Sequence, residues 1–182
     1  MDSKNIYGNA FANADGEVLK SAFRRLQPPQ VVNLIAIRAP SYGKGDYTAD
    51  EIRNILITCY TGFKAAKILD RKTHAMNSYV LSESGRHMIQ NSQTPLRTTI
   101  HTGWWGCGAF GNSRQMMLIT QIVAARWAQI DEIVFHTQTD NFRDDIAKAK
   151  EVAEKLNEIR DMHQVVQEIV ELKLKWEKSN NT

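Results

Sequence analysis

The sequence predicts an α/β fold with parallel strands, and three observations carry that expectation. Apolar, β-branched runs alternate with stretches of helical periodicity. One run, Val31 to Arg38, is apolar at nearly every position, as in a strand covered on both faces. A glycine-rich loop, Gly103 to Asn112, joins a second strand to a strongly apolar helix. The chain's 182 residues fit one domain, since domains usually run to about 100–200 residues. With 42% hydrophobic and 24% charged residues it reads as globular rather than disordered. The net charge of +3 is too small for a dedicated nucleic-acid binder, so no direct nucleic-acid contact is expected. No apolar run reaches the roughly 18–20 residues that span a bilayer, and Met1 to Asn5 lacks the shape of a secretion signal. The expected location is therefore cytoplasmic, with no membrane partner. Cys59 and Cys107 form no disulfide framework and the histidines lack ligand spacing, so neither metal nor cofactor is expected.

Residues 1–30 are poorly patterned, with a short helix expected from Glu17 to Leu26 before Pro28-Pro29. The strand Val31 to Arg38 ends at Ala39-Pro40 and leads into the loop Ser41 to Tyr47. Thr48-Ala49-Asp50-Glu51 is a capping box, and Ile52, Ile55, Leu56, Cys59, Tyr60, Phe63 and Ile68 follow at helical spacing. Residues 71–95 are mostly polar, with a short apolar element around Tyr79-Val80-Leu81 and a boundary at Pro95. Arg97 to Thr102 predicts a strand, Met116 to Trp127 a buried helix, and Glu132 to Thr137 a further strand. From Phe142 to about Lys178 the pattern predicts a long C-terminal helix. Its apolar stripe shifts phase after Leu156, which calls for a break near Asp161-Met162-His163 or for packing on a partner. The chain thus divides into residues 1–30, 31–140 and a helical segment, 141–182.

Strand, glycine loop, buried helix is the arrangement in which backbone amides and a helix N-terminus converge on an anion. Gly106-Cys107-Gly108-Ala109-Phe110-Gly111 matches Gly-x-Gly-x-x-Gly, with Asp140 near the end of the next strand. A Rossmann-type dinucleotide-binding oxidoreductase would use these features. Against it, Gly103-Trp104-Trp105 intervenes before the fingerprint, the motif lies late in the chain, and only helix follows Asp140. Trp104, Trp105 and Phe110 are costly to expose, so they either anchor the loop or offer a wall to a sugar or base.

Thr102-Gly103-Trp104-Trp105-Gly106-Cys107-Gly108-Ala109-Phe110-Gly111 closely resembles the hallmark loop of the poly(ADP-ribose) glycohydrolases, a branch of the macrodomain fold. That family's loop reads Thr-Gly-x-Trp-Gly-Cys-Gly-Ala-Phe-Gly, and every fixed position matches. The likeness extends upstream through Val32 to Phe63, including Ala39-Pro40 and Thr61-Gly62-Phe63, and covers about residues 30–140. It implies a macrodomain-like mixed or parallel sheet flanked by helices, in an incomplete version. It also implies that the loop wraps the diphosphate and neighbouring ribose of ADP-ribose. Gly106, Cys107, Gly108, Ala109 and Phe110 would supply amides and an aromatic wall, and Trp105 would shape the loop. Thr102, Gly103, Gly111 and Asn112 would complete the site, with Trp104 at the variable position.

The family's catalytic signature, Gly-Gly-Gly followed by Gln-Glu-Glu, occurs nowhere in these residues. Its glutamate protonates the leaving ribose oxygen. Glu17, Glu51, Glu83 and Glu132 have no loop context suited to general-acid work on a glycosidic bond, so no catalytic residue is assigned. The sequence looks like the C-terminal half of such an enzyme. The leading expectation is a glycohydrolase-like module that binds ADP-ribose or poly(ADP-ribose), hydrolysis of the ribose–ribose bond following by resemblance alone. Its alternatives are a non-catalytic ADP-ribose reader, a subunit completed by a complementary chain, or a fragment whose open sheet edge is covered by homo-oligomerisation.

Overall fold

A computed structural model describes residues 14–22, 33–83, 97–137 and 142–179. Its order is α1 (Gly16–Ala22), α2 (Ala49–Glu83), β1 (Thr99–Thr102), α3 (Arg114–Ala128), β2 (Glu132–Phe135), α4 (Arg143–Lys155) and α5 (Met162–Glu171). Asp15 starts α1 by accepting the amides of Glu17 and Val18 at 3.0 and 2.8 Å. Residues 23–32, which hold the expected end of this helix and the start of the first expected strand, lie outside the described residues.

The capping box forms as its spacing predicts. The Glu51 carboxylate accepts from Thr48 N at 2.8 Å and Thr48 Oγ1 accepts from Glu51 N at 3.3 Å, which satisfies free amides of the first turn of α2. Ile52, Ile55, Leu56, Cys59 and Phe63 are buried along one face. The backbone of α2 stays helical to Glu83 and takes in the residues expected as a separate apolar element, Tyr79 to Leu81. No glycine or proline interrupts it after Gly62. Pro95 lies outside the described residues.

The strands β1 and β2 pair in parallel, Thr99 opposite Glu132 through Thr102 opposite Phe135. The helix α3 is the crossover between them, as parallel pairing requires. It lies at the centre of the molecule. Met116, Met117, Leu118, Ile119 and Thr120 are fully buried, packed chiefly between α2 and α4. Among the described residues no helix is long and apolar enough to cross a membrane.

Two expectations are corrected. The described part of the first expected strand, Asn33 to Pro40, has no regular secondary structure, and Leu34 is 91% exposed. A strand needs a hydrogen-bonded neighbour, and a cleft of about 730 Å³ separates Asn33–Ile37 from the β1 edge that faces it. Apolar character on both faces is present; the pairing is not. The long C-terminal helix is instead two helices, parted by the break near Asp161 that its phase shift calls for. A 3₁₀ turn, Leu156–Glu158, ends α4, and the Asp161 side chain starts α5 by accepting from His163 N at 3.1 Å. The break lets Ala149, Ala153 and Leu156 share one core with Val165, Val166 and Ile169 despite the phase shift.

Beyond α5 a turn at Leu172-Lys173 doubles the chain back into a strap, residues 174–179. Tyr47 N donates to Leu174 O at 3.1 Å, Trp176 N to Gly45 O at 2.9 Å, and the Trp176 ring stacks on Tyr47 with centroids 4.6 Å apart.

Asp131 ties three elements at the start of the sheet. Its carboxylate accepts from Thr98 N at 2.7 Å and pairs with Lys67 Nζ, an ammonium on α2 that is almost wholly buried. The Lys67 and Thr98 hydrogen bonds hold the Asp131 carboxyl below the usual carboxylate range. A carboxyl with a depressed folded pKa stabilises the fold above its unfolded value of about 3.9, and that contribution is lost as pH falls through the folded value. Asp131→Asn should therefore lower the melting temperature near pH 7, with the gap to the wild type closing below about pH 4; melting curves across this range test it.

Candidate functional site

The loop after β1 runs from Gly103 to Ser113 and is held from behind by one buried side chain. Asn112 is fully buried. Its Nδ2 donates to Pro40 O at 2.7 Å and Gly106 O at 2.9 Å, while its Oδ1 accepts from the Tyr47 hydroxyl at 3.2 Å. The same hydroxyl accepts from Ser113 N at 2.9 Å, and burial raises the pKa of the phenol. Gly106 and Gly111 have φ of +72° and +68°, the left-handed region that side chains avoid. At Gly106 a Cβ would lie 2.7 Å from both Ala39 Cβ and Asn112 Nδ2.

The amides of residues 105–112 divide into two sets. Trp105 N, Cys107 N, Gly111 N and Asn112 N donate to Gly103, Trp104, Gly108 and Gly106 carbonyls within the loop at 2.9–3.2 Å. Gly106, Gly108, Ala109 and Phe110 donate to no acceptor among the described residues. The strap grips the opposite side. Ser179 Oγ donates to Ala109 O at 2.7 Å and Glu177 N to Gly111 O at 2.9 Å. The C=O and N–H of a trans peptide point in opposite directions, so fixing the Ala109 carbonyl toward the strap aims the Phe110 amide away from it.

The N-terminus of α3, expected to be open to an anion, already holds one. Glu177 Oε1 accepts from Arg114 N at 3.1 Å, and Ser113 Oγ accepts from Met116 N at 3.4 Å. Arg114 itself lies over two rings, 5.2 Å from Trp104 and 4.4 Å from Phe142. At the tip, Phe110 is 38% exposed and meets the 74% exposed Tyr42 edge-to-face at 5.9 Å.

Residues 2–145 match the family model described as poly(ADP-ribose) glycohydrolase, macro domain fold. The chain belongs to the poly(ADP-ribose) glycohydrolase family. The match starts well ahead of residue 30, where the likeness legible in the sequence begins, and it ends before α5 and the strap. No curated protein matches the chain.

Set on this glycohydrolase-family fold, the expected site residues play different parts. Gly106, Gly108, Ala109 and Phe110 lie on one stretch of loop, their amides without an acceptor among the described residues. Trp105 packs against both hydrophobic clusters of the core and shapes the loop from inside. Thr102 and Gly103 are tied to the fold, Thr102 Oγ1 donating to Gln121 Oε1 at 2.7 Å and Gly103 O accepting from Gln121 Nε2 at 3.4 Å. Gly111 turns the chain against the strap. Asn112 faces the interior with its side chain fully engaged, so it holds the loop rather than lining its surface.

Cys107 has burial pushing its thiol up to about 12, with Glu177 adding to the rise and Arg114 opposing it. A free thiol near pKa 8.5 is partly thiolate at pH 8, so Cys107 should alkylate with iodoacetamide at least about 100-fold more slowly than such a thiol. Mass spectrometry of native and denatured protein checks this.

The glutamates weighed from the sequence are spent on the fold or distant in chain position. Glu51 caps α2, Glu132 pairs with Arg97 at 3.4 Å, Glu17 opens α1 and Glu83 ends α2. Sequence reasoning missed Tyr47, Arg114, Glu177 and Ser179. The last two lie about 65 residues past the motif in sequence, and no local pattern signals such a return.

Proposed function

We propose that this glycohydrolase-family chain binds the ADP-ribose unit of poly(ADP-ribose) through its diphosphate, with the glycine-rich loop as the anion cradle. The observation that carries this reading is the division of the loop amides. Of the eight amides from Trp105 to Asn112, four donate within the loop, and those of Gly106, Gly108, Ala109 and Phe110, without an acceptor among the described residues, remain for an external one. Main-chain amides on successive residues are well suited to phosphate oxygens, because they approach closely and bring no side chain into the anion's space. Phe110 with Tyr42 offers an exposed aromatic edge for the sugar or base beside it. Glu177 is the carboxylate that the strap brings to this loop, and it is committed to the amide of Arg114. The reading is accordingly binding, with no cleavage by this chain alone.

Calorimetry with ADP-ribose, followed by a release assay on poly(ADP-ribose), tests both parts. Affinity without release is the expected result. Release of ADP-ribose would overturn the non-catalytic part, and no affinity would overturn the whole. A complementary chain or a second copy is a further reading, favoured by the edge of β1 that has no strand beside it among the described residues and by exposed Leu34 and Ile35 at the rim of the cleft. Light scattering over a range of concentrations would show the homo-oligomer, and a single monomeric mass throughout would exclude it.

A further inference from the structure

We infer that Arg114 is a second, cationic arm of the anion site, held in place by Trp104 and Phe142 and directed at the diphosphate; this rests on the ADP-ribose reading above. Because β1 and β2 are parallel, the loops that follow them leave the same end of the sheet. Ligands of open α/β sheets bind outside the carboxyl ends of the strands. Arg114 stands where these loops meet. Trp104 belongs to the loop after β1, Phe142 to the segment after β2, and their rings contact each other at 4.7 Å with the guanidinium over both.

Two features separate this arginine from an ordinary surface cation. Its guanidinium makes no hydrogen bond or ion pair with any described residue, although Glu177 accepts from its main-chain N–H. Its position is nonetheless fixed, because the aromatic faces attract the cation and restrict its rotamers. A planar fork of N–H donors held in one orientation, half-buried and without a carboxylate, suits the oxygens of a diphosphate. The influence of Arg114 on the Cys107 thiol is consistent with that placement, since it brings the positive charge into the field of the loop. The inference also gives Trp104, at the variable position of the family loop, a role: it aims Arg114 and need not touch the ligand.

The test compares the wild type with Arg114→Gln, which keeps a stem and planar head able to stack, and with Arg114→Lys, which keeps the charge and loses the fork. The probes are ADP-ribose and inorganic pyrophosphate, read by calorimetry at two salt concentrations, with melting temperatures of the free proteins alongside. The Gln variant should lose about tenfold or more in affinity for both probes and show a weaker salt dependence, as expected for a lost charge-assisted contact. The Lys variant should fall between, and the free proteins should melt within a few degrees of one another. Unchanged ADP-ribose affinity in the Gln variant overturns the Arg114 inference and leaves the ADP-ribose reading standing. Pyrophosphate binding that depends on Arg114, without ADP-ribose binding, upholds the arm and overturns the nucleotide-sugar reading. If the wild type binds neither probe, both fall.

Discussion

Gly108→Glu should abolish ADP-ribose binding while leaving the fold intact. Gly108 lies between the unpaired amides of Gly106 and Ala109, and its own N–H is unpaired. Its φ is not in the positive range that marks Gly106 and Gly111, so a side chain there carries no left-handed backbone penalty. A glutamate would place a carboxylate in front of amides that otherwise meet a phosphate, combining steric exclusion with like-charge repulsion. The expected loss is at least about 100-fold, the size of roughly 3 kcal/mol. Calorimetry measures it, with the melting temperature as the control for folding. Full affinity in a folded Gly108→Glu protein would move the site away from this loop.

Asn112→Ala should act through stability. The side chain has no contact with solvent and links the Pro40 carbonyl, the Gly106 carbonyl and the Tyr47 hydroxyl. Removing it leaves those buried groups short of partners and opens a void behind the loop. The cost should be roughly 3 kcal/mol, or a melting temperature lower by about 6–12 °C in a chain of this size. Denaturant unfolding measures it directly. Tyr47→Phe removes one of these contacts and the acceptor for Ser113 N, and should show part of the same loss. A change in Asn112→Ala within a degree of wild type would mean that the loop keeps its shape by other means.

The sequence disclosed the parts of this fold whose causes are local. The Thr48–Glu51 box, the one-sided face of α2 from Ile52 to Phe63, the apolar α3 and the glycine loop each depend on neighbouring residues, and each forms where its pattern places it, whereas Ile68, the last residue expected on that face, is exposed. The family resemblance was legible for the same reason, because it is concentrated in ten consecutive residues. What pattern could not give was long-range. Val31 to Arg38 has every intrinsic property of a strand, yet pairing is a property of two segments, and its described residues face a cleft rather than a ladder. The terminal helical pattern likewise contained its own break, but the turn at Leu156–Asp161 is decided by how α4 and α5 share one core. Asn112 illustrates the limit most sharply. Its place in the motif made it a ligand-binding candidate, and only the partners brought from residues 40 and 47 turn it inward.

The contact between residues 177–179 and the carbonyl face of the loop makes two distant events report on one equilibrium. If occupying the amides on one side stiffens the peptide units, the carbonyls on the other side hold their clasp more firmly, and residues 177–179 fray less often. A saturating nucleotide should then protect the strap from proteolysis although it meets only the other face of the loop, and a bulky fusion after Ser179 should be felt as weakened affinity.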